Sequence, residues 1–275
     1  MYRWLKSHPE VFFPAIKEPS FFVNSYGIKN WDQYESLFKA GGGKKIIGDA
    51  STTYLLSPES PDWIRKILGS DIKILILVRN PVERAFSLYK WMIMEGYEVA
   101  YPFEKALELE EERFADESFR IHNPEFFWDY MYVRSSIYCA SIEKYISVFG
   151  REAIKIHLFD DLIANPSDVY NSVCSFLKIS EDFRPQFTPE NKSITPLSVK
   201  LQGLLRANAY SFTAVPPIGR VWTAGVCKLM RLNKWFGLEI HLRRSTRGQL
   251  AKIFEKDVCR LASLLGRDLS HWART

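Results

Sequence analysis

Cysteine is scarce in this chain, and its few copies follow no ligand pattern. The 275 residues contain four cysteines, Cys139, Cys174, Cys227 and Cys259, which lie far apart and make no CxxC pair. This spacing excludes a zinc ribbon or a thioredoxin-type motif and favours ordinary buried thiols. Such thiols permit a reducing compartment without requiring one.

Long hydrophobic runs are also missing. No window approaches the roughly 18 apolar residues that a membrane-spanning helix needs, although 47% of the residues are hydrophobic. The stretch from Tyr2 to Lys6 is typical of the middle of a helix, so we expect no signal peptide. The chain also lacks a GxxxxGK[ST] sequence, which counts against a nucleotide kinase.

Positive charge is concentrated in the last third of the chain. From Ser198 to Thr275 there are 14 Lys/Arg and 4 Asp/Glu, a net charge of +10, whereas residues 1–197 hold 23 basic and 28 acidic side chains, a net charge of −5. A basic segment can attract an anionic polymer, a membrane surface or nucleic acid. The alternative is a solvated basic face.

The order of the patterns predicts an α/β fold. The near-continuous aliphatic run from Ile72 to Val78 is typical of a strand buried on both faces of a parallel sheet. A second strand is predicted over 153–159, and helices alternate with strands from Trp31 to Leu177. We therefore predict a single domain, with a core over residues 1–180 and a helical, basic part over 181–275.

Arg79 and Ser87 are the first candidate site residues. Arg79 follows the strong strand directly, at the carboxyl end where open α/β sheets bind ligands. Ser87 lies eight residues later, in the early turns of the next predicted helix. An arginine and a hydroxyl near a helix N-terminus suit a phosphate or sulfate. The alternative is a buried strand whose terminal arginine pairs with a carboxylate.

Six segments, in order along the chain, resemble one known family. They resemble the sulfotransferases that use 3′-phosphoadenosine-5′-phosphosulfate (PAPS), in particular the heparan-sulfate-type and bacterial carbohydrate enzymes. Residues 205–245 match poorly. The matching segments are residues 5–10, 16–22, 48–55, 77–87, 159–162 and 264–272.

The resemblance implies a P-loop-NTPase-like parallel sheet flanked by helices, with PAPS as co-substrate and no metal. In the family, the arginine and serine of the Arg-Asn-Pro block grip the 3′-phosphate of PAPS, and these roles fall on Arg79 and Ser87. A guanidinium fork suits a dianionic phosphate, and a hydroxyl donates beside it. Further nucleotide-site positions of relatives fall on Arg134, Ser136 and Tyr138. For these three residues we expect a structural role in the helix at least as much as a role in nucleotide binding.

The same resemblance implies the catalytic base and the acceptor side. The base falls on Glu18, whose carboxylate would take the proton from a sugar hydroxyl or amine; an exposed loop glutamate is the alternative. Lys17 would contact PAPS or the acceptor, and Asp49 and Ser51 would line the acceptor cleft. A glycan or other hydroxyl or amine acceptor is implied, and no nucleic acid partner is expected.

One family segment has no counterpart in these residues. The family opens with a buried strand and a phosphosulfate loop of the form Lys-x-Gly-Thr-Thr-Ser, placed shortly before the position of Tyr2. Gly41-Gly42-Gly43 does not substitute, because it lacks the preceding strand and the lysine. We therefore predict that the first strand of the sheet is missing, as in a truncated enzyme or in a non-catalytic homologue that binds nucleotide or an anionic polymer. The compartment would be cytoplasmic for a bacterial enzyme and the Golgi lumen for one with an anchor.

Overall fold

The computed structural model describes residues 1–123, 125–187, 194–209, 211, 218–235, 237 and 239–273. The chain divides into two compact units, each built from two segments. Unit 1 comprises Met1–Asn80 and Tyr138–Glu190, and unit 2 comprises Pro81–Ile137 and Asn191–Thr275. The expectation of one domain with a boundary at residue 180 stays a prediction.

Helices and strands alternate in unit 1, whereas the described regular elements of unit 2 are helices. The described strands are β1 (Val11–Phe12), β2 (Ile46–Ile47), β3 (Ile74–Val78) and β4 (Ile154–Leu158). The described helices are α1 (Tyr2–Lys6), α2 (Trp31–Ser36), α3 (Ser60–Leu68), α4 (Pro81–Glu95), α5 (Phe103–Glu108), α6 (Glu110–Ala115), α7 (Glu117–His122), α8 (Cys139–Phe149), α9 (Phe159–Ala164), α10 (Pro166–Leu177), α11 (Val199–Asn208), α12 (Ile218–Trp235) and α13 (Arg244–Leu265).

All described strand pairs of unit 1 are parallel, as predicted. β3 pairs with β4 in a register that runs from Ile74 opposite Ile154 to Val78 opposite Leu158. β1 pairs with β2 as a separate two-stranded sheet. Parallel pairing requires crossover connections. The connection between β1 and β2 contains α2, and the longer one between β3 and β4 contains α4 to α8. The predicted α/β class is therefore confirmed, with small sheets, and the missing first strand stays a prediction.

The core of unit 1 packs the short strands against α10. Val11 of β1 is buried together with Tyr170, Val173 and Cys174 of α10. These helix positions repeat at spacings of three and four residues, which places them on one face. The same core receives Leu75, so the end of β3 is held by apolar packing.

Unit 2 is a helical assembly around α4. Tyr89, Met92 and Ile93 of α4 are fully buried, and Leu250 and Phe254 of α13 belong to the same apolar cluster. The amphipathic pattern of both helices accounts for this packing.

A buried ion pair adds a polar element to unit 2. The Glu98 carboxylate is 1% exposed and accepts two hydrogen bonds from the Arg113 guanidinium, at 2.6 and 2.9 Å. It also accepts from the Tyr132 hydroxyl at 2.9 Å and from the backbone N–H groups of Val99 and Ala100. These donors satisfy the buried Glu98 charge. Removal of one partner of the pair would leave the other charge buried and uncompensated, which strongly lowers stability.

Two local expectations are wrong. The sequence predicts a loop over 119–133, yet α7 extends to His122 because the Asp116 side chain caps its first turn. The sequence also predicts a helix from Ser135, whereas α8 begins at Cys139. The preceding residues form a 3₁₀ turn, held where the buried Glu110 carboxylate accepts from the Val133 and Arg134 N–H groups.

Within the part of the chain that the structure describes, no helix combines the length and the apolar character needed to cross a membrane.

Candidate functional site

Glu18 lies at the edge of a loop in unit 1, and each of its two carboxylate oxygens contacts a different donor. Its Oε1 pairs with the Lys17 ammonium, and its Oε2 accepts from the Thr52 hydroxyl at 2.8 Å. Its side chain is 32% exposed. The carboxylate is therefore held in place while it stays accessible to an acceptor.

The loop behind Glu18 is fixed by burial and hydrogen bonds. Ser20, Phe21 and Phe22 are buried, and the Ser20 backbone adopts a left-handed conformation with φ of 50°. This conformation is uncommon for a residue with a side chain and persists where the surroundings hold it. The Ser20 N–H donates to Ser51 Oγ at 2.9 Å, and its hydroxyl accepts from Thr53 at 3.0 Å.

Asp49 is the acceptor at the centre of this arrangement. Its Oδ2 accepts from the hydroxyls of Tyr34 and Tyr54, at 3.0 and 2.6 Å. Its Oδ1 accepts from the N–H and the hydroxyl of Ser51, at 2.9 and 2.6 Å. We call Asp49, Ser51, Ser20, Tyr34 and Tyr54 the Asp49 network. It links the hydroxyl-rich turn after β2 to the Glu18 loop.

The tyrosines of the network stay protonated donors. Burial raises the pKa of the Tyr34 hydroxyl far above its usual value, and the nearby Asp49 carboxylate adds to the effect. The pKa of Tyr54 is raised for the same two reasons. A neutral phenol donates to a carboxylate, whereas a phenolate would repel it, so the two hydrogen bonds persist at all physiological pH values.

The predicted substrate residues therefore differ in accessibility. Lys17 is exposed beside Glu18, and its ammonium also lies 5.7 Å from the centre of the Tyr2 ring. Ser51 is buried, and both Asp49 oxygens are occupied by internal donors. Contact of Asp49 and Ser51 with an acceptor stays a prediction, and their hydrogen bonds favour a positioning role.

Arg79 lies at the carboxyl end of β3 in unit 1, as predicted. Its guanidinium lies 4.9 Å from the centre of the Phe159 ring, directly after β4. Its backbone carbonyl accepts a hydrogen bond from the Tyr138 hydroxyl. A guanidinium at this distance from a ring makes a cation–π contact.

Ser87 lies in unit 2, in the second turn of α4, and is partly buried. One turn earlier, Arg84 donates to the hydroxyls of Ser135 and Ser136 at 2.9 and 3.0 Å. α4 begins at Pro81, a residue that suits the first helical position because its missing N–H would have no partner there. Binding of one phosphate by Arg79 and Ser87 together stays a prediction.

The weaker nucleotide-site candidates have structural partners. The Arg134 guanidinium donates to both oxygens of Glu111 at 2.8 Å and lies 3.9 Å from the centre of the Phe114 ring. The Ser136 hydroxyl donates to the Tyr132 carbonyl at 2.7 Å. These contacts give both residues a structural role.

Sequence reasoning missed the role of Thr52. The turn from Ser51 to Tyr54 is visible as a hydroxyl-rich stretch, but its 3₁₀ conformation decides which hydroxyl meets Glu18. That pairing joins residues 34 positions apart, so local periodicity carries no signal for it.

Comparison with known proteins gives consistent matches. The family model described as "Sulfotransferase domain" matches residues 51–197. The chain is 32% identical to human heparan sulfate glucosamine 3-O-sulfotransferase 5 over 181 residues, which cover 64% of this chain and 48% of that protein. The mouse protein of the same name is 31% identical over 180 residues, with the same coverage. The chain thus spans about half the length of these relatives.

A solved structure matches nearly the whole chain. It is the crystal structure of a sulfotransferase from Alicyclobacillus acidocaldarius, with a TM-score of 0.73, 28% identity, and coverage of 99% of this chain and 92% of that chain. The family match covers more than half of the chain, and the solved structure aligns with nearly all of it. The chain belongs to the sulfotransferase family and has its P-loop-like α/β fold.

Proposed function

We propose that this protein transfers a sulfuryl group from PAPS to a hydroxyl or amine of a carbohydrate acceptor. The observation that carries the proposal is the Glu18 carboxylate, which is exposed yet fixed by Lys17 and Thr52 on a buried loop. Family membership supports sulfuryl transfer, and the heparan sulfate enzymes among the relatives support a glycan acceptor. Approach of a second substrate to a fixed base is what in-line transfer requires.

In the proposed reaction, Glu18 acts as general base. As the acceptor oxygen or nitrogen forms its bond to sulfur, its proton passes to the Glu18 carboxylate. The bond between sulfur and the bridging phosphate oxygen breaks at the same centre, and adenosine 3′,5′-bisphosphate leaves with the electron pair. The step needs no redox partner. Before the transfer, the Lys17 ammonium pairs with Oε1 and helps to hold the carboxylate in place.

The Asp49 network would serve this step indirectly. Ser51 holds the Ser20 N–H, and Ser20 is two residues from Glu18. Thr52, next to Ser51, donates to Glu18 itself. The network therefore aims the base without contacting the acceptor, and we assign Asp49 and Ser51 as positioning residues.

Arg79 and Ser87 would hold the 3′-phosphate of PAPS. Guanidinium and hydroxyl donors match the dianionic phosphate, and the Arg79 guanidinium lies against the Phe159 ring at the strand end. Lys17 would contact PAPS or the acceptor through the ammonium donors that its pair with Glu18 leaves over.

A transfer assay tests the base. The full chain is incubated with sulfur-35-labelled PAPS and partly N-desulfated heparin, which offers both amines and hydroxyls. Glu18→Gln should lower kcat by about 10²–10⁴-fold, the usual contribution of a general base. Glu35→Gln, at an exposed carboxylate on α2, is the matched control and should leave kcat unchanged.

A binding assay separates the alternatives. Adenosine 3′,5′-bisphosphate is titrated calorimetrically into wild type, Arg79→Ala and Glu18→Gln. Loss of one charge-assisted contact should weaken binding to Arg79→Ala by about tenfold to a hundredfold, while Glu18→Gln binds as wild type. Binding without measurable transfer would favour the non-catalytic homologue. Equal binding by wild type and Arg79→Ala would refute the nucleotide site.

A further inference from the structure

Helix α12 of unit 2 exposes large apolar side chains along one face. Val221 is 73% exposed, Leu229 53%, Leu232 46% and Trp235 81%. Spacings of eight, three and three residues place these side chains on one broad stripe of the helix. Trp222, which is 41% exposed, flanks the stripe.

The opposite face fixes the rotation of the helix. Val226 and Met230 are buried in a cluster with Ala209. The Asn233 amide donates to Gln202 Oε1 at 2.8 Å, a bond between buried groups. α12 is therefore docked through one apolar face and shows a second apolar face to solvent. An exposed apolar patch bordered by polar residues marks an interaction surface.

The charge of α12 has one sign. Its 18 residues include no aspartate or glutamate. Arg220, Lys228 and Arg231 are exposed, whereas Lys234 pairs with Glu95 at 3.1 Å. Lys228 and Arg231 line one shallow surface depression with Ala224, Leu232 and Trp235. Lys228 lies within the apolar stripe, seven residues from both Val221 and Trp235, and its ammonium can extend from the stripe to the lipid phosphates while its alkyl chain packs with the apolar side chains. The cations and the apolar side chains therefore present one continuous surface.

Three kinds of partner are compatible with exposed cations, and one also uses the apolar stripe. An anionic polysaccharide would pair with Lys228 and Arg231 but leave Val221, Leu229 and Trp235 in water. A second copy of the chain, paired through a two-fold axis, would place like cations together. An anionic bilayer accepts the apolar side chains at the acyl boundary, the tryptophans at the headgroup level, and the cations at the lipid phosphates.

We propose that α12 binds the surface of anionic phospholipid membranes, lying in the interface with the face of Val221, Leu229, Leu232 and Trp235 immersed. The attachment is peripheral and reversible, because one amphipathic helix buries little area. It would hold the protein at a membrane, whether or not the chain transfers sulfate.

Vesicle co-sedimentation tests this proposal. The full chain is pelleted with sucrose-loaded vesicles of phosphatidylcholine alone, or with about a third phosphatidylglycerol. We expect binding to the anionic vesicles only. Val221→Gln with Leu229→Gln should lower the partition coefficient by about tenfold or more, because two apolar side chains leave the acyl boundary. Ile253→Gln on α13, equally exposed at 53%, is the matched control and should bind as wild type.

The charge arm uses Lys228→Gln and Arg231→Gln. Each change should weaken binding to anionic vesicles by about fivefold, and added salt should weaken wild type similarly. Unchanged thermal unfolding of the variants shows that they are folded, as expected for exposed positions. The proposal is overturned if wild type stays in the supernatant, or if the Ile253 and Val221/Leu229 variants behave alike. It is also overturned if sedimentation velocity shows a wild-type dimer that the Val221/Leu229 variant loses.

Discussion

The change Asp49→Asn tests the central network most directly. The carboxylate accepts four hydrogen bonds, two on each oxygen. The amide has the same shape but only one acceptor oxygen. If that oxygen faces Tyr34 and Tyr54, the NH₂ group faces the Ser51 N–H, and two donors meet. If the amide is flipped, both phenol hydrogens lose their acceptor.

The magnitude follows from these contacts. At least one hydrogen bond to a charged acceptor is lost in either orientation, and such bonds are each worth about 1.5–3 kcal/mol. We therefore expect the free energy of unfolding to fall by about 2 kcal/mol. Because Ser51 also holds the Ser20 N–H, the Glu18 loop should loosen as well. In the transfer assay, kcat should then fall more than KM rises.

Urea unfolding followed by far-UV circular dichroism measures the change. Asp71→Asn, the same replacement at an exposed carboxylate of unit 1, is the control and should stay within about 0.5 kcal/mol of wild type. If the loss of unfolding free energy in Asp49→Asn were as small as in that control, the four hydrogen bonds would contribute no net stability. The Asp49 network could then not be what fixes the Glu18 loop.

Three further changes probe other contacts. Gly27→Ala should destabilise by at least about 1 kcal/mol more than Gly43→Ala in thermal unfolding, because both backbones are left-handed but only the Gly27 Cβ would lie 2.5 Å from a backbone oxygen; equal losses would contradict this. Arg113→Met should cost about 3–5 kcal/mol of unfolding free energy because it strands the buried Glu98 charge, so a loss below about 1 kcal/mol would argue against a buried pair. Burial lowers the pKa of His157 in the folded protein below its usual value of 6.5. Between these two pKa values the unfolded chain binds a proton that the folded chain does not, so the folded state loses stability as the pH falls. His157→Gln should therefore flatten the fall in urea midpoint between about pH 7.5 and 5.5, and an unchanged slope would assign that fall to other groups.

The strands and the arginine at the strand end were predictable because their signals are local. The aliphatic run before Arg79 predicts a strand, and β3 follows it over Ile74–Val78. Burial on both faces is not borne out along its whole length, because Leu77 is exposed while Ile76 and Val78 are buried. The start of α8 was not predictable, because the 3₁₀ turn before it depends on Glu110, a residue distant in sequence.

The candidate site likewise has residues that the sequence predicts and contacts that only the fold reveals. Glu18 was reached by resemblance, and its exposure and its contact with Thr52 required the fold. The residue types Asp49 and Ser51 fit an acceptor cleft as well as an internal network. The contacts seen in the fold favour the second, since Tyr34 and Tyr54 donate to Oδ2 of Asp49 and Ser51 donates to Oδ1.

The interleaving of the two units sets the order in which they can form during synthesis. Unit 1 is complete once its second segment has emerged from the ribosome, whereas the core of unit 2 joins α4 to α13, elements separated by more than half of the chain. Phe103 and Tyr132, which contact Tyr89 of α4, emerge earlier, but the part of the α4 face that packs with α13 stays uncovered while the intervening residues are translated. Contacts this distant in sequence close slowly and leave hydrophobic surface open to aggregation. Chaperone capture of nascent chains should accordingly concentrate on α4 and end when α13 is released.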